Sequence, residues 1–180
     1  MFFSFISKSN HSSEDARSVQ SSDVPMPNNL NRLVSQGQSL AKQGSYEESL
    51  DYFDEVLTLS PTHQRALSCR ALTYINLGRN RSALADLNRL IDIAPRNLWA
   101  YANRAIIFRE LGQYGRAVAD FSHLVTHDSS KRWQWLVSRG STLTLMGRHK
   151  QALQDFDLSL QLKPNNRWAT EARSEVLMRA

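Results

Sequence analysis

The sequence predicts an all-α solenoid of four helical hairpins followed by a C-terminal capping helix. Three observations carry this reading. A ten-residue phrase recurs as GSYEESLDYF, GRNRSALADL, GQYGRAVADF and GRHKQALQDF, opening at Gly44, Gly78, Gly112 and Gly147. The first three of these glycines lie 34 residues apart and the fourth follows after 35, while Pro61 and Pro95 repeat the spacing of 34. Apolar residues flank each glycine at helical spacing and not at the alternation of a strand. A period of this length belongs to architectures whose units stack because none can bury its apolar surface alone.

Residues 1–28 are rich in Ser, Asn and Asp, contain Pro25 and Pro27, and lack helical periodicity. They are expected to form a disordered tail. The opening MFFSFISKSN has an apolar cluster at Phe2, Phe3, Phe5 and Ile6. With no basic side chain ahead of it and an end at Lys8, it reads as an apolar tip, not a secretion signal. The repeat domain is expected over residues 29–180, with units at 30–63, 64–97, 98–132 and 133–166 and a last helix over 167–180.

Each unit reads as two helices around its glycine. In the third, Tyr101, Ala105 and Phe108 form one stripe, and Ala117, Phe121, Leu124 and Val125 the other. The glycine sits where the first helix ends, since it adopts the left-handed C-terminal conformation at little cost. The proline stops the second helix. Gly37, Ala71, Ala105 and Gly140 fall mid-way along the first helices, and Ser49, Ala83, Ala117 and Ala152 early in the second. Small residues facing each other would bring the helices close, with Leu40, Tyr74, Phe108, Leu143, Phe53, Leu87, Phe121 and Phe156 filling the volume beside them.

The extra residue of the fourth spacing is expected in the loop at Asp128–Lys131, where Ser129 stands in for a proline. Inside a helix it would turn the apolar stripe by about 100°. In the last helix, Trp168, Ala172, Val176 and Leu177 are expected to cover the open end of the stack. Glu171, Arg173, Glu175 and Arg179 would face water. Arg70, Arg104 and Arg139 recur at the seventh position of units two to four, and Asp86, Asp120 and Asp155 at the twenty-third. Each arginine is expected to pair with an aspartate as a structural ion pair.

Composition bounds the function. Apolar residues make up 41% and charged residues 22% of 180, as in soluble globular chains. No apolar run approaches the roughly 20 residues of a membrane span, and the expected compartment is the cytoplasm. One cysteine, Cys69, excludes an internal disulfide and a cysteine-based zinc site. The formal charge is +5, divided unevenly: residues 30–61 carry a net −3 and residues 132–180 a net +4. That division could steer an acidic partner to the late units or favour self-association. The arginines are scattered, without the basic run of a nucleic-acid-binding segment.

The period of 34, with a small residue at position 8, alanine at 20, an aromatic at 24 and proline at 32, resembles the tetratricopeptide repeat family. The likeness covers about five-sixths of the chain. Ser49, Ser129 and Ser159 depart from the pattern at positions 20, 32 and 27. The resemblance implies a right-handed superhelix whose first helices line a concave groove for a peptide or a partner's helix. Positions 2, 5, 6, 9, 12 and 13 would face it: Val34, Gln38 and Lys42 from the first unit; Arg65, Cys69, Leu72 and Asn76 from the second; Trp99, Asn103, Ile106 and Arg109 from the third; Gln134, Val137, Ser138 and Ser141 from the fourth.

Such a wall would suit an acidic peptide with apolar anchors. Of the residues with which one subgroup of the family clamps the carboxylate terminus of heat-shock chaperones, only Asn103 has a counterpart here. The function expected is that of an adaptor or assembly factor. The alternatives are a chaperone that shields an apolar segment, and RNA binding by the basic late units. No enzymatic role, cofactor or small-molecule substrate is expected. Asp120, His123 and His127 share a helix face but lack the glutamate of the zinc-protease motif, and no phosphate loop, dinucleotide fingerprint or nucleophile elbow occurs.

Overall fold

The computed structural model describes residues 27–179. These form nine helices: α1 (Pro27–Lys42), α2 (Tyr46–Leu59), α3 (Gln64–Asn76), α4 (Asn80–Ile93), α5 (Leu98–Glu110), α6 (Tyr114–His127), α7 (Arg132–Leu145), α8 (His149–Leu162) and α9 (Arg167–Arg179). No strand occurs among the described residues. The tail expected over residues 1–28 lies outside them, apart from Pro27 and Asn28, which open α1. Proline suits a first helical turn, where its missing N–H has no helical acceptor to lose.

Helices pair in sequence. α1 packs on α2, α3 on α4, α5 on α6 and α7 on α8; each second helix then meets the first helix of the next pair, and α8 meets α9. Every turn within a pair is three residues long and every connection between pairs four. The recurring glycines end the first helices with φ between 68° and 87°. At Gly112, the glycine N–H donates to the Arg109 carbonyl and the Gln113 N–H to that of Phe108, at 3.1 and 2.8 Å. This closes the helix end in a Schellman motif. Pro61, Pro95 and Pro164 lie just past α2, α4 and α8.

The extra residue does not lengthen the loop. Residues 128–131 number four, like the other connections, and α7 has 14 residues against 13 in α3 and α5. A residue added at a helix N-terminus leaves the phase of everything after it unchanged. Asp128 organises the connection that lacks proline. Its carboxylate accepts from the Ser130 hydroxyl (2.7 Å), the Lys131 N–H (3.2 Å) and the Trp135 indole (2.9 Å). These bonds, the Ser130 hydroxyl foremost, hold its carboxyl below the usual range.

The core runs along the stack in three clusters. Val34, Phe53, Val56, Leu67, Leu87, Leu90 and Ile107 belong to the first, Ala105, Phe108, Ala117, Phe121 and Leu124 to the second, and Leu143, Ala152, Phe156 and Val176 to the third. Half-buried Leu84 and Tyr101 touch both of the first two. The small residue at position 8 meets the aromatic at 24. A Cβ added to Gly37 would lie 2.7 Å from the Phe53 ring, and one added to Gly140 2.8 Å from that of Phe156. The two serine departures in helices are satisfied. Buried Ser49 donates to the Tyr46 carbonyl (2.7 Å), and buried Ser159 to that of Trp133 (2.9 Å).

α9 packs on α8 and α7 through Ala169, Ala172 and Val176. It covers the end of the stack through Ala172 and Val176 as expected, but Trp168 and Leu177 take no part in the cover, being 75% and 51% exposed. Nine residues apart on one helix, the two point to opposite sides of α9.

Candidate functional site

The first helices of the pairs, with α9, form one wall. Fourteen of the residues expected there keep exposed or half-buried side chains. The exception is Val34, which is fully buried. α1 packs on both α2 and α3, so Val34 is enclosed by their core cluster and belongs to the interior.

Gln38, Lys42, Cys69, Leu72 and Asn76 come together, with Ala41, Tyr46, Phe53 and Thr73, around a cleft of about 320 Å³ between α1 and α3. Gln38 ties its walls together. Its amide donates to the Cys69 sulfur at 2.9 Å, and its carbonyl oxygen accepts from Arg65 at 2.5 Å. Burial pushes the Cys69 thiol up, against the opposing effects of Gln38 and Arg65. Burial therefore disfavours the thiolate, the form of a cysteine that reacts. Leu72 lines the cleft with exposed apolar area and Lys42 with a cation.

Arg109, Val137, Ser138 and Ser141 come together in a second cleft of about 420 Å³. Its remaining lining is from α9: Trp168, Glu171, Ala172 and Glu175. Sequence reasoning treated that helix as a cap and so missed these four. The signal was present. With Arg167 taken as the first residue of a fifth unit, they fall at positions 2, 5, 6 and 9, the wall positions. Arg109 thus faces two carboxylates across one cleft, beside an exposed indole. Trp99 and Ile106 are exposed on α5 and Gln134 on α7, and none of the three lines either cleft. Asn103 turns back to donate to the Trp99 carbonyl at 2.8 Å.

The expected arginine–aspartate pairs form within their units, each through two hydrogen bonds. Arg70 holds Asp86 at 2.8 and 2.6 Å, Arg104 holds Asp120 at 2.8 and 2.7 Å, and Arg139 holds Asp155 at 2.8 and 2.7 Å. The aspartate side chains are 5–7% exposed. A third contact was not anticipated. The remaining nitrogen of each arginine reaches position 25 of the preceding unit: Asp54 at 2.6 Å, Asn88 at 2.8 Å and Ser122 at 3.1 Å. Each guanidinium therefore staples three helices. Different residue types supply this acceptor, which hid the pattern in the sequence.

Asp120 is thereby committed to Arg104. His123 lies between two rings, stacked on Tyr101 at 3.9 Å and on His127 at 4.1 Å. The His127 Nδ1 lies 2.8 Å from the His123 carbonyl oxygen. No group of three metal-ligating side chains occurs among the described residues.

The family description "Tetratricopeptide repeat" matches three overlapping windows, residues 34–97, 70–127 and 102–167. The chain belongs to the tetratricopeptide repeat family. Its nine-helix stack is the tetratricopeptide repeat solenoid seen in solved relatives. One is a tetratricopeptide repeat protein from Parabacteroides merdae, with a TM-score of 0.72, 23% identity, and coverage of 87% of this chain and 60% of that one. MamA from Desulfovibrio magneticus gives 0.69 and 22%, covering 78% and 79%. PilF of Pseudomonas aeruginosa gives 0.68 and 16%, covering 83% and 68%. At these identities the likeness is one of fold. A curated relative, the tetratricopeptide repeat and J domain-containing co-chaperone DNJ1 of Fusarium oxysporum f. sp. lycopersici, is 29% identical over 75 residues. That stretch is 42% of this chain and only 14% of the co-chaperone. The tetratricopeptide repeat is a scaffold for protein–protein interaction, and among the described residues no helix is long and apolar enough to cross a membrane.

Proposed function

We propose that this chain binds a peptide or helix of another protein along the wall formed by α1, α3, α5, α7 and α9, as an adaptor or assembly factor. The reading rests chiefly on the two clefts, which gather nine of the wall residues and carry unlike charge. The cleft at α1 and α3 offers Lys42 beside Leu72, with Arg65 bound to its Gln38. The cleft at α7 and α9 offers Glu171 and Glu175 beside Trp168, with Arg109 opposite. A segment with an acidic group and an apolar anchor at one end, and a cation at the other, matches this order. Apolar burial would supply most of the affinity and the charges the orientation.

The test is an affinity capture from cell extract, read by mass spectrometry, with wild type, Trp99→Ala and Arg109→Ala compared. Both substitutions should deplete the same partner while leaving helicity unchanged. If both variants retain every specific partner at wild-type levels, the wall is not the binding surface.

A chaperone-type role for the same wall draws support from the co-chaperone relative and from the exposure of Leu72, Trp99 and Ile106. Capture by apolar shielding should survive high salt. Capture that depends on Lys42, Arg65 and Arg109 should weaken as salt screens them.

A further inference from the structure

We infer that the groove between α6 and α8 is a second docking site, which takes a glutamate side chain from a segment of another protein. A cleft of about 280 Å³ opens there between Val118 and Ser122 of α6 and Gln151 and Gln154 of α8, with Arg148 just ahead of α8 and Leu143 of α7 in its lining. Arg148, Gln151 and Gln154 are exposed. Among the described residues their side chains have no hydrogen-bond or ion-pair partner; the bonds within the lining are those of Arg139 and Ser122. The matching cations of the two preceding units are engaged. Positions 16 and 19 together hold one cation in each of units two to four, as Arg79, Arg116 and Arg148. Arg79 binds Glu47, at position 18 of the preceding unit, through two nitrogens at 2.9 and 2.6 Å. The Arg116 guanidinium lies 4.4 Å from the centre of the Phe108 ring and donates to the Gln113 side chain at 3.0 Å. Arg148 has neither kind of partner. Position 18 of the unit before it is Gly115, and position 11 of its own unit, where Tyr74 and Phe108 supply rings, is Leu143.

The two replacements leave space as well as an unanswered charge. A Cβ added to Gly115 would meet nothing within 4 Å. The chemistry of the occupant follows from Arg79, which shows that an arginine at position 16 of this fold grips a glutamate through paired bonds. Around Arg148, the Gln151 and Gln154 amides add donors, and Val118 and Leu143 offer apolar area to the methylenes of the side chain. Asp155 also lines the cleft, but both its oxygens are held by Arg139, so its charge is already offset. A nucleic acid would need a track of cations, whereas this cleft holds one uncommitted guanidinium, the match for one carboxylate. The net +4 of residues 132–180 would draw an acidic segment towards it. The cleft shares no residue with the wall of first helices, and it stands whether or not the wall binds.

The probe is a phage-displayed library of random peptides, panned on the full chain and depleted on Gly115→Glu, which supplies the carboxylate from within as Glu47 does for Arg79. Peptides that bind wild type and escape the depletion are synthesised with a fluorescent label and titrated by anisotropy. They are expected to carry a glutamate. Binding should weaken about fivefold when that glutamate is replaced by glutamine, and comparably for Arg148→Ala in the protein. Gly115→Gln, which adds the bulk without the charge, should retain binding. Gly115 and Arg148 are exposed, so these variants should fold as wild type does. The inference is overturned if no peptide distinguishes wild type from Gly115→Glu, if the peptides that do so lack an acidic residue, or if Arg148→Ala binds them as tightly as wild type. A concentration-dependent dimer of the chain alone that Gly115→Glu abolishes would make a second copy the occupant and overturn it too.

Discussion

His123 has one ring face on Tyr101 and the other on His127, and its Nε2 is buried without a hydrogen-bond partner among the described residues. Burial lowers its pKa, His127 and Arg104 act in the same direction, and Asp120 opposes them. The folded chain thus binds this proton less readily than the unfolded chain, whose histidine titrates near 6.5. Its stabilising share is present above that pH and declines as pH falls through it. Thermal melts at pH 8 and pH 5 should show a drop for wild type that His123→Phe reduces. An equal drop in both would place the effect elsewhere.

The ion pairs differ at the same scale. The Asp120 side chain is 7% exposed and bound through both oxygens, whereas Glu47, paired with Arg79, is 63% exposed. Asp120→Ala leaves Arg104 poorly compensated and should cost about 3 kcal/mol, the lower end for a buried pair because the guanidinium keeps some contact with water. Glu47→Ala should cost under about 1 kcal/mol. Chemical denaturation of the two variants measures the difference.

At the scale of the element, the pairs close by matching a small residue to a ring. Gly140 lies under Phe156, and Gly37 under Phe53. Alanine would ordinarily favour a helix by about 1 kcal/mol over glycine. Here its methyl would meet a fully buried ring at 2.8 Å, and overpacking of about 1–3 kcal/mol should outweigh the gain. Gly140→Ala is therefore expected to lower the melting temperature. Gly112 faces open space but has φ +72°. Alanine there should also destabilise, by about 1 kcal/mol, for a backbone reason alone. The expected role of the small residues was right in kind and wrong in partner: they admit an aromatic edge, and do not simply face one another.

At the scale of the molecule, each helix among the described residues packs chiefly on its neighbours in the stack. Stability should therefore be graded along the chain and not uniform. Hydrogen exchange is expected to be fastest in α1 and α9, which among the described residues have neighbours on one side, and slowest in α4 to α6. Uniform protection would show that the stack opens as a single unit. The guanidinium staples extend this coupling from pair to pair, since Arg70, Arg104 and Arg139 each bind the preceding unit as well as their own.

The sequence by itself determined the hairpins, their order and their turns, because period, glycine conformation and apolar stripes are local properties that each repeat states again. It also marked Arg70, Arg104 and Arg139 and the three aspartates as pairing groups, because both recur in step, but left open whether they pair within a unit or across neighbours. Only the tertiary structure decided the rest. Val34 has the chemistry of a wall residue, yet α1 lies against two helices at once and its side chain is enclosed. Trp168 and Leu177 have the chemistry of a cap, yet α9 joins the stack in the register of a fifth first helix. That register turns Glu171 and Glu175 towards Arg109 and leaves Trp168 and Leu177 exposed. Burial depends on which neighbours a face receives, and the residues of that face alone do not specify it.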